Sequence, residues 1–137
     1  LNINYKIKLL MSSVNLSKIL DYAAKIGVQA KIDELARSQI ENIIASLDSF
    51  PDDKLSLLVT AAYAHRQASR LKKGLKTARL INQALNYIYE SNGSREEARR
   101  LLGLAKWVFE SVERVRLPRI DVGALTFNQI LEILRGR

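Results

Sequence analysis

Between residue 15 and the C-terminus, apolar residues recur three and four positions apart in one segment after another, a spacing that belongs to helices. Only two prolines interrupt the pattern, Pro51 and Pro118, and each stands where an apolar stripe runs out. Leu16, Ile19, Leu20, Ala23 and Ile26 form the first stripe, on a helix starting near Asn15 and weakened at Gly27. A second helix is expected over residues 31–49, faced by Ile40, Ile43, Ile44 and Leu47. Ser38-Gln39-Ile40-Glu41 has capping-box spacing, which allows that helix a later start at Ser38.

Asp52 and Asp53 suit the start of a third helix. Leu55, Leu57, Leu58, Val59, Ala61, Ala62, Tyr63 and Ala64 make its first half apolar on nearly every side, which predicts a central position. Gly74 predicts its break. A fourth helix to about Glu90 turns Leu75, Ala78, Ile81, Leu85 and Ile88 inward. Ser91-Asn92-Gly93 is turn chemistry, and Ser94-Arg95-Glu96-Glu97 repeats the capping-box spacing. The fifth helix carries Leu101, Leu104, Ala105, Val108, Val112 and Val115, and Thr126 caps a last short helix with Ile130, Leu131 and Leu134.

The expected fold is therefore all-α, a single-domain bundle of five to six helices over residues 14–137. Residues 1–8 alternate apolar and polar like a strand, but no other segment offers a partner strand. Residues 1–13 are accordingly read as a tail, with subunit contact as the other reading. The natural start is expected at Leu1, from an alternative start codon, or at Met11.

Composition removes much of the catalytic menu. With no cysteine, disulfides, thiolate metal sites and thiol nucleophiles are excluded. A single histidine, His65, cannot form a His–His pair within one chain. No apolar run of about 18 residues or secretory signal is present, so the expected location is the cytoplasm, away from any membrane. No phosphate-binding glycine loop occurs, and neither a metal site nor a cofactor is expected. Asp52-Asp53 and Glu96-Glu97 read as helix-start residues.

Charge is the remaining signal. Residues 1–53 carry a net charge of −1, residues 54–89 carry +7 with no acidic residue, and residues 90–137 carry +2. Within the basic stretch Arg66, Arg70 and Lys73 follow helical spacing, as do Lys72, Lys76 and Arg79, with Gln83 one turn on. Like charges one turn apart cost a helix roughly 0.2–0.5 kcal/mol per pair, so stability does not explain the stripe. A row of cations suits a polyanion, whose bound counterions are released on contact. The other readings are a solvated face, or a stripe quenched by acids from other helices. The chain lacks zinc-finger spacing and a basic zipper, so sequence-specific duplex reading is not expected. Tyr63, Tyr87, Tyr89, Trp107 and Phe109 sit in apolar stretches and read as core or protein contact.

Three short motifs carry a resemblance. Ala36-Arg37-Ser38-Gln39-Ile40, Ala62-Tyr63-Ala64-His65-Arg66-Gln67 and Leu104-Ala105-Lys106-Trp107-Val108-Phe109-Glu110 resemble segments of the small helical subunits of type III CRISPR–Cas effector complexes, over roughly residues 36–113. The resemblance implies a noncatalytic basic bundle that stacks head to tail along a guide–target duplex. Other subunits of the complex and copies of itself would then be its protein partners. Only Arg66 falls on a matching motif position; Arg70, Lys72, Lys73, Lys76 and Arg79 are RNA-binding candidates on charge spacing alone. Two rival readings stand beside it. One is a helical adaptor whose basic face meets an acidic protein. The other is a small ribonuclease using His65, although the arginine-then-histidine spacing of some helical ribonucleases would need arginine at Leu58, Val59 or Thr60.

Overall fold

Asn15 begins the first helix as expected: its Oδ1 accepts the Ser17 amide at 2.8 Å, and α1 runs over Leu16–Ile32. The computed structural model describes residues 12–136, which hold six α-helices, two short 3-10 turns and, among those residues, no strand. The alternating segment 1–8 lies outside the described residues. Ser12 and Ser13, assigned to the tail by sequence, are tied to the bundle. Ser13 N–H donates to the Ser91 carbonyl at 2.9 Å, and Ser12 Oγ donates to Glu97 at 3.0 Å.

Gly27 does not weaken α1; it allows the helix to be where it is. A Cβ there would lie 2.6 Å from the Ala105 carbonyl oxygen and 2.7 Å from the Val108 side chain. The two helix backbones thus come within touching distance, which only glycine permits. The burial of α1 falls on Ile19, Ala23, Ala24, Ile26, Val28 and Ala30, whereas Leu16 and Leu20 are exposed. Both lie in the first turn and a half, where Ile19 is the one residue that reaches the core.

The second helix, α2, spans Arg37–Ala45 and passes into a 3-10 turn at Ser46–Asp48. Neither Lys31 nor Ser38 starts it. Ala36 takes the cap position, and its N–H donates to Gln39 Oε1 at 2.8 Å. The box expected from Ser38 is therefore shifted by two residues, and only its Gln half is chemically possible on an alanine.

The third helix, α3, covers Leu55–Leu71 and starts as Asp52 Oδ1 accepts the Leu55 amide at 2.7 Å. Asp53 is not a second cap; it faces Arg95 at 3.5 Å. The expectation that α3 lies at the centre is wrong. Ser56, Leu57, Thr60, Ala61, Ala64 and Ala68 are buried, but Leu55, Leu58 and Ala62 face outward. The fourth helix (α4, Leu75–Glu90) and the 46–48 turn, with lesser packing from α2 and from the helix over Arg95–Val112, cover the buried side of α3 and leave its other side open. The central element is α1, which packs on α4, on α5 (Arg95–Val112) and on α6 (Phe127–Arg135). Its many small residues made it look less apolar than α3, yet small residues are what let three helices close on it.

In α4, Ala78, Ile81, Leu85 and Ile88 are buried as expected, while Leu75 at the helix start is exposed. Helix α5 begins on the expected box. Ser94 Oγ accepts the Glu97 amide at 3.3 Å, and Glu97 Oε1 accepts the Ser94 amide at 3.0 Å. Leu101, Ala105, Val108 and Val112 reach the core, Leu104 reaches it in part, and Val115 falls beyond the helix. The end of α5 is closed from a distance: the Lys31 ammonium donates to the carbonyls of Val112 at 2.6 Å, Glu113 at 3.3 Å and Val115. A cation there also complements the helix dipole. Helix α6 begins at Thr126, whose Oγ accepts the Gln129 amide at 3.2 Å, while Asp21 Oδ1 takes the Phe127 amide at 2.9 Å. Ile130 seats α6 in a small second core with Ala24, Val28, Val112 and Leu125, and Leu131 stays at the surface. Among the described residues, no helix is long and apolar enough to cross a membrane.

Candidate nucleic-acid interface

The six candidate cations all belong to the hairpin made by α3 and α4. Arg66 and Arg70 stand on α3, opposite its buried residues, and Lys76 and Arg79 stand opposite those of α4. Lys72 and Lys73 lie in the turn between them, not on either helix. The two heptad-like rows read from sequence are therefore interrupted at the corner. All six side chains are exposed.

The turn reverses the chain in three residues. Lys72 takes φ 57° and Gly74 takes φ 88°, both left-handed. Glycine or asparagine normally closes a helix this way; lysine there costs about 1 kcal/mol. Three contacts from the loop after α1 hold the turn in place. Asp33 Oδ2 accepts the Thr77 amide at 3.1 Å and the Thr77 hydroxyl at 2.7 Å, capping α4, which has no cap of its own at Gly74. Gln29 Nε2 donates to the other Asp33 oxygen at 2.9 Å. Lys73 Nζ donates to the Glu34 carbonyl at 2.8 Å, and Gly74 packs on Leu35.

No acid from another helix quenches the six. Among the described residues the ion pairs are Arg37–Glu110, Arg95 with Asp48 and Asp53, Arg99 with Asp48 and Glu96, and Lys106–Glu41. None involves Arg66, Arg70, Lys72, Lys73, Lys76 or Arg79. The six thus make no ion pair, although Asp33 and Glu34 lie against the turn that carries Lys72 and Lys73. Lys73 is partly occupied by its carbonyl contact, so the other five offer their full donor set.

Elsewhere the aromatic residues divide. Phe109 is buried, but Trp107 is 67% exposed, on the outer side of α5, with Arg100 two turns before it and Arg114 in the turn just past the helix. The core expectation for Trp107 is wrong, because the apolar neighbours of Trp107 in sequence point the other way round the helix. Lysines also meet tyrosines that sequence spacing had separated from them: Lys18 Nζ lies 4.9 Å from the Tyr87 ring centre, and Lys54 Nζ lies 4.5 Å from that of Tyr89. His65 is half-buried with no hydrogen-bond partner at Nε2. Among the described residues no group of His, Asp or Glu is placed to hold a metal ion.

Asp33, Lys31 and Lys18 escaped the sequence reading. Each acts on a partner 44 or more residues away, at Thr77, Val112 or Tyr87. No local spacing announces such contacts. Compared with protein families, with curated proteins and with solved structures, the chain matches none.

Proposed function

We propose that this protein is a noncatalytic RNA-binding subunit whose α3–α4 hairpin lies along a sugar–phosphate backbone. One observation carries the reading: six exposed cations share one hairpin, and none has a carboxylate partner among the described residues. Phosphates would complete their coordination, with Arg66 and Arg70 holding one stretch of backbone and Lys72, Lys76 and Arg79 the next. The motif resemblance gives this reading its setting, a small subunit of a type III CRISPR-like effector complex in the cytoplasm, stacked on neighbouring subunits. The test replaces Lys72, Lys73, Lys76 and Arg79 together by glutamate. RNA affinity at low ionic strength falls at least about a hundredfold, and the salt slope loses about three to four units. Helicity by circular dichroism is unchanged. Unaltered affinity in a folded variant ends the proposal.

The exposed Trp107 between Arg100 and Arg114 supports a second reading, a helical adaptor with an acidic protein partner, because tryptophan and arginine dominate binding energies at protein interfaces. Partners that co-purify after nuclease digestion favour the adaptor; partners lost on digestion favour the RNA subunit.

A further inference from the structure

A cleft of about 370 Å³ opens between α1, α4 and Gly123 of the 122–124 turn. Lys18, Asp21, Tyr22 and Lys25 line it from α1, and Leu80 and Gln83 line it from α4. Gln83 stands one turn beyond Arg79 on the exposed side of α4, so the cleft is the next stop along the row of Lys76 and Arg79. Its size falls within the range of ligand pockets, roughly 300–1,000 Å³.

The lining is chemically mixed. Lys25 Nζ lies 5.9 Å from the Tyr22 ring centre, and the Tyr22 and Tyr87 rings stand 6.0 Å apart at 36°. Lys25 spends one of its three N–H groups on the Leu125 carbonyl at 3.0 Å. Neither Lys18 nor Lys25 has an ion-pair partner among the described residues. Asp21 gives Oδ1 to the Phe127 amide and keeps Oδ2 as an acceptor. A bare phosphate would meet repulsion from Asp21, and an apolar peptide would leave the lysines unmatched. A nucleotide uses the whole set. Its phosphate suits the lysines, its base suits the Tyr22 ring and Leu80, and a ribose hydroxyl or base amino group suits the carboxylate.

We propose that this cleft holds one unpaired nucleotide of the strand gripped by the basic face, with its base against Tyr22. The proposal rests on the RNA-binding reading above, not on its duplex setting, and adds a preference for single strands, because a base in a duplex stack cannot enter the cleft.

The test compares a fluorescein-labelled oligouridylate with an RNA duplex of equal length, by anisotropy at low ionic strength, on the full chain. Tyr22→Leu weakens single-strand binding about tenfold, the scale of a lost base–aromatic stack, and leaves the duplex and the salt slope unchanged. Tyr22→Phe restores the affinity. The exposed pair Lys18→Gln and Gln83→Ala, which keeps the Tyr22 side chain itself, weakens single-strand binding about fivefold and lowers the salt slope by about one. Equal single-strand affinity in the wild type and in both the Tyr22→Leu and the Lys18→Gln/Gln83→Ala variants overturns the cleft. If Lys76→Glu and Arg79→Glu still abolish binding in that case, the basic face stands without it. No RNA binding by the wild type removes both.

Discussion

Two regions of this molecule treat positive charge in opposite ways. Where α5 begins, each cation has a specific task. Arg95, 19% exposed, donates to the carbonyls of Phe50 at 2.9 Å and Pro51 at 3.0 Å and faces Asp53 and Asp48, while Arg99 makes a two-pronged bond to Asp48 at 2.7 and 3.1 Å. On the α3–α4 hairpin the six cations form no ion pair among the described residues, and the carboxylate at its corner, Asp33, is spent on capping α4 at Thr77. The chain has acids enough to balance a surface and places them elsewhere. Charge at the start of α5 fastens the α2–α3 connection to the bundle. Charge on the hairpin has no carboxylate within ion-pair distance among the described residues, and only Lys73 is engaged, on the Glu34 carbonyl.

That contrast can be broken by exchanging the roles. Arg95→Ala costs about 2–3 kcal/mol in chemical denaturation, because two carbonyls and a carboxylate lose their donor, and it leaves RNA affinity unchanged. A stability loss below about 0.5 kcal/mol would show that this cation is as idle in the fold as those on the hairpin. Asp33→Ala sharpens the contrast from the other side. It frees the Thr77 amide and hydroxyl together, costs about 2 kcal/mol, and weakens RNA binding several-fold by loosening the turn that carries Lys72 and Lys73. Retention of full affinity at equal loss of stability would separate the turn from the binding face.

Lys72→Gly moves the two properties in opposite directions. The left-handed residue is relieved, so stability rises by about 1 kcal/mol, while RNA affinity falls a few-fold with one cation gone. The smallest effect is a pH effect at Asp48. The hydrogen bond from Arg99, helped by the nearby charges of Arg99 and Arg95, holds the Asp48 carboxyl below its ordinary value of 3.8. The ionised form is therefore favoured in the folded state. The stabilisation is complete above about pH 4 and is lost as pH falls through the lowered value. A thermal-unfolding series of wild type and Asp48→Asn should differ slightly at neutral pH and converge in acid.

Much of this architecture was legible in the sequence, and the exceptions share a cause. Helix spacing, the Ser94 and Thr126 caps and the break at Gly74 are local features, and each is found where the residues put it. The central position is less legible, since packing rewards the alanines and Gly27 of α1, which allow close approach, over the larger apolar residues of α3. The Ser38 box failed because Ala36 can present its amide to Gln39 two residues earlier. The basic face was legible as a charge asymmetry, and its corner at residues 72–74 was half visible in Gly74. Its anchoring by Asp33 was not, since a cap supplied from 44 residues away leaves no trace in local spacing. The same holds for the cleft, where Tyr22 and Gln83 meet only because α1 and α4 pack.

Trp107 is the chain's single tryptophan, and it projects into solvent from the back of α5. Its fluorescence is accordingly silent about loosening of the interior but responsive to anything that settles on that helix. A blue shift on adding a second protein, with none on adding RNA alone, would give the two candidate surfaces separate optical signatures in a single cuvette.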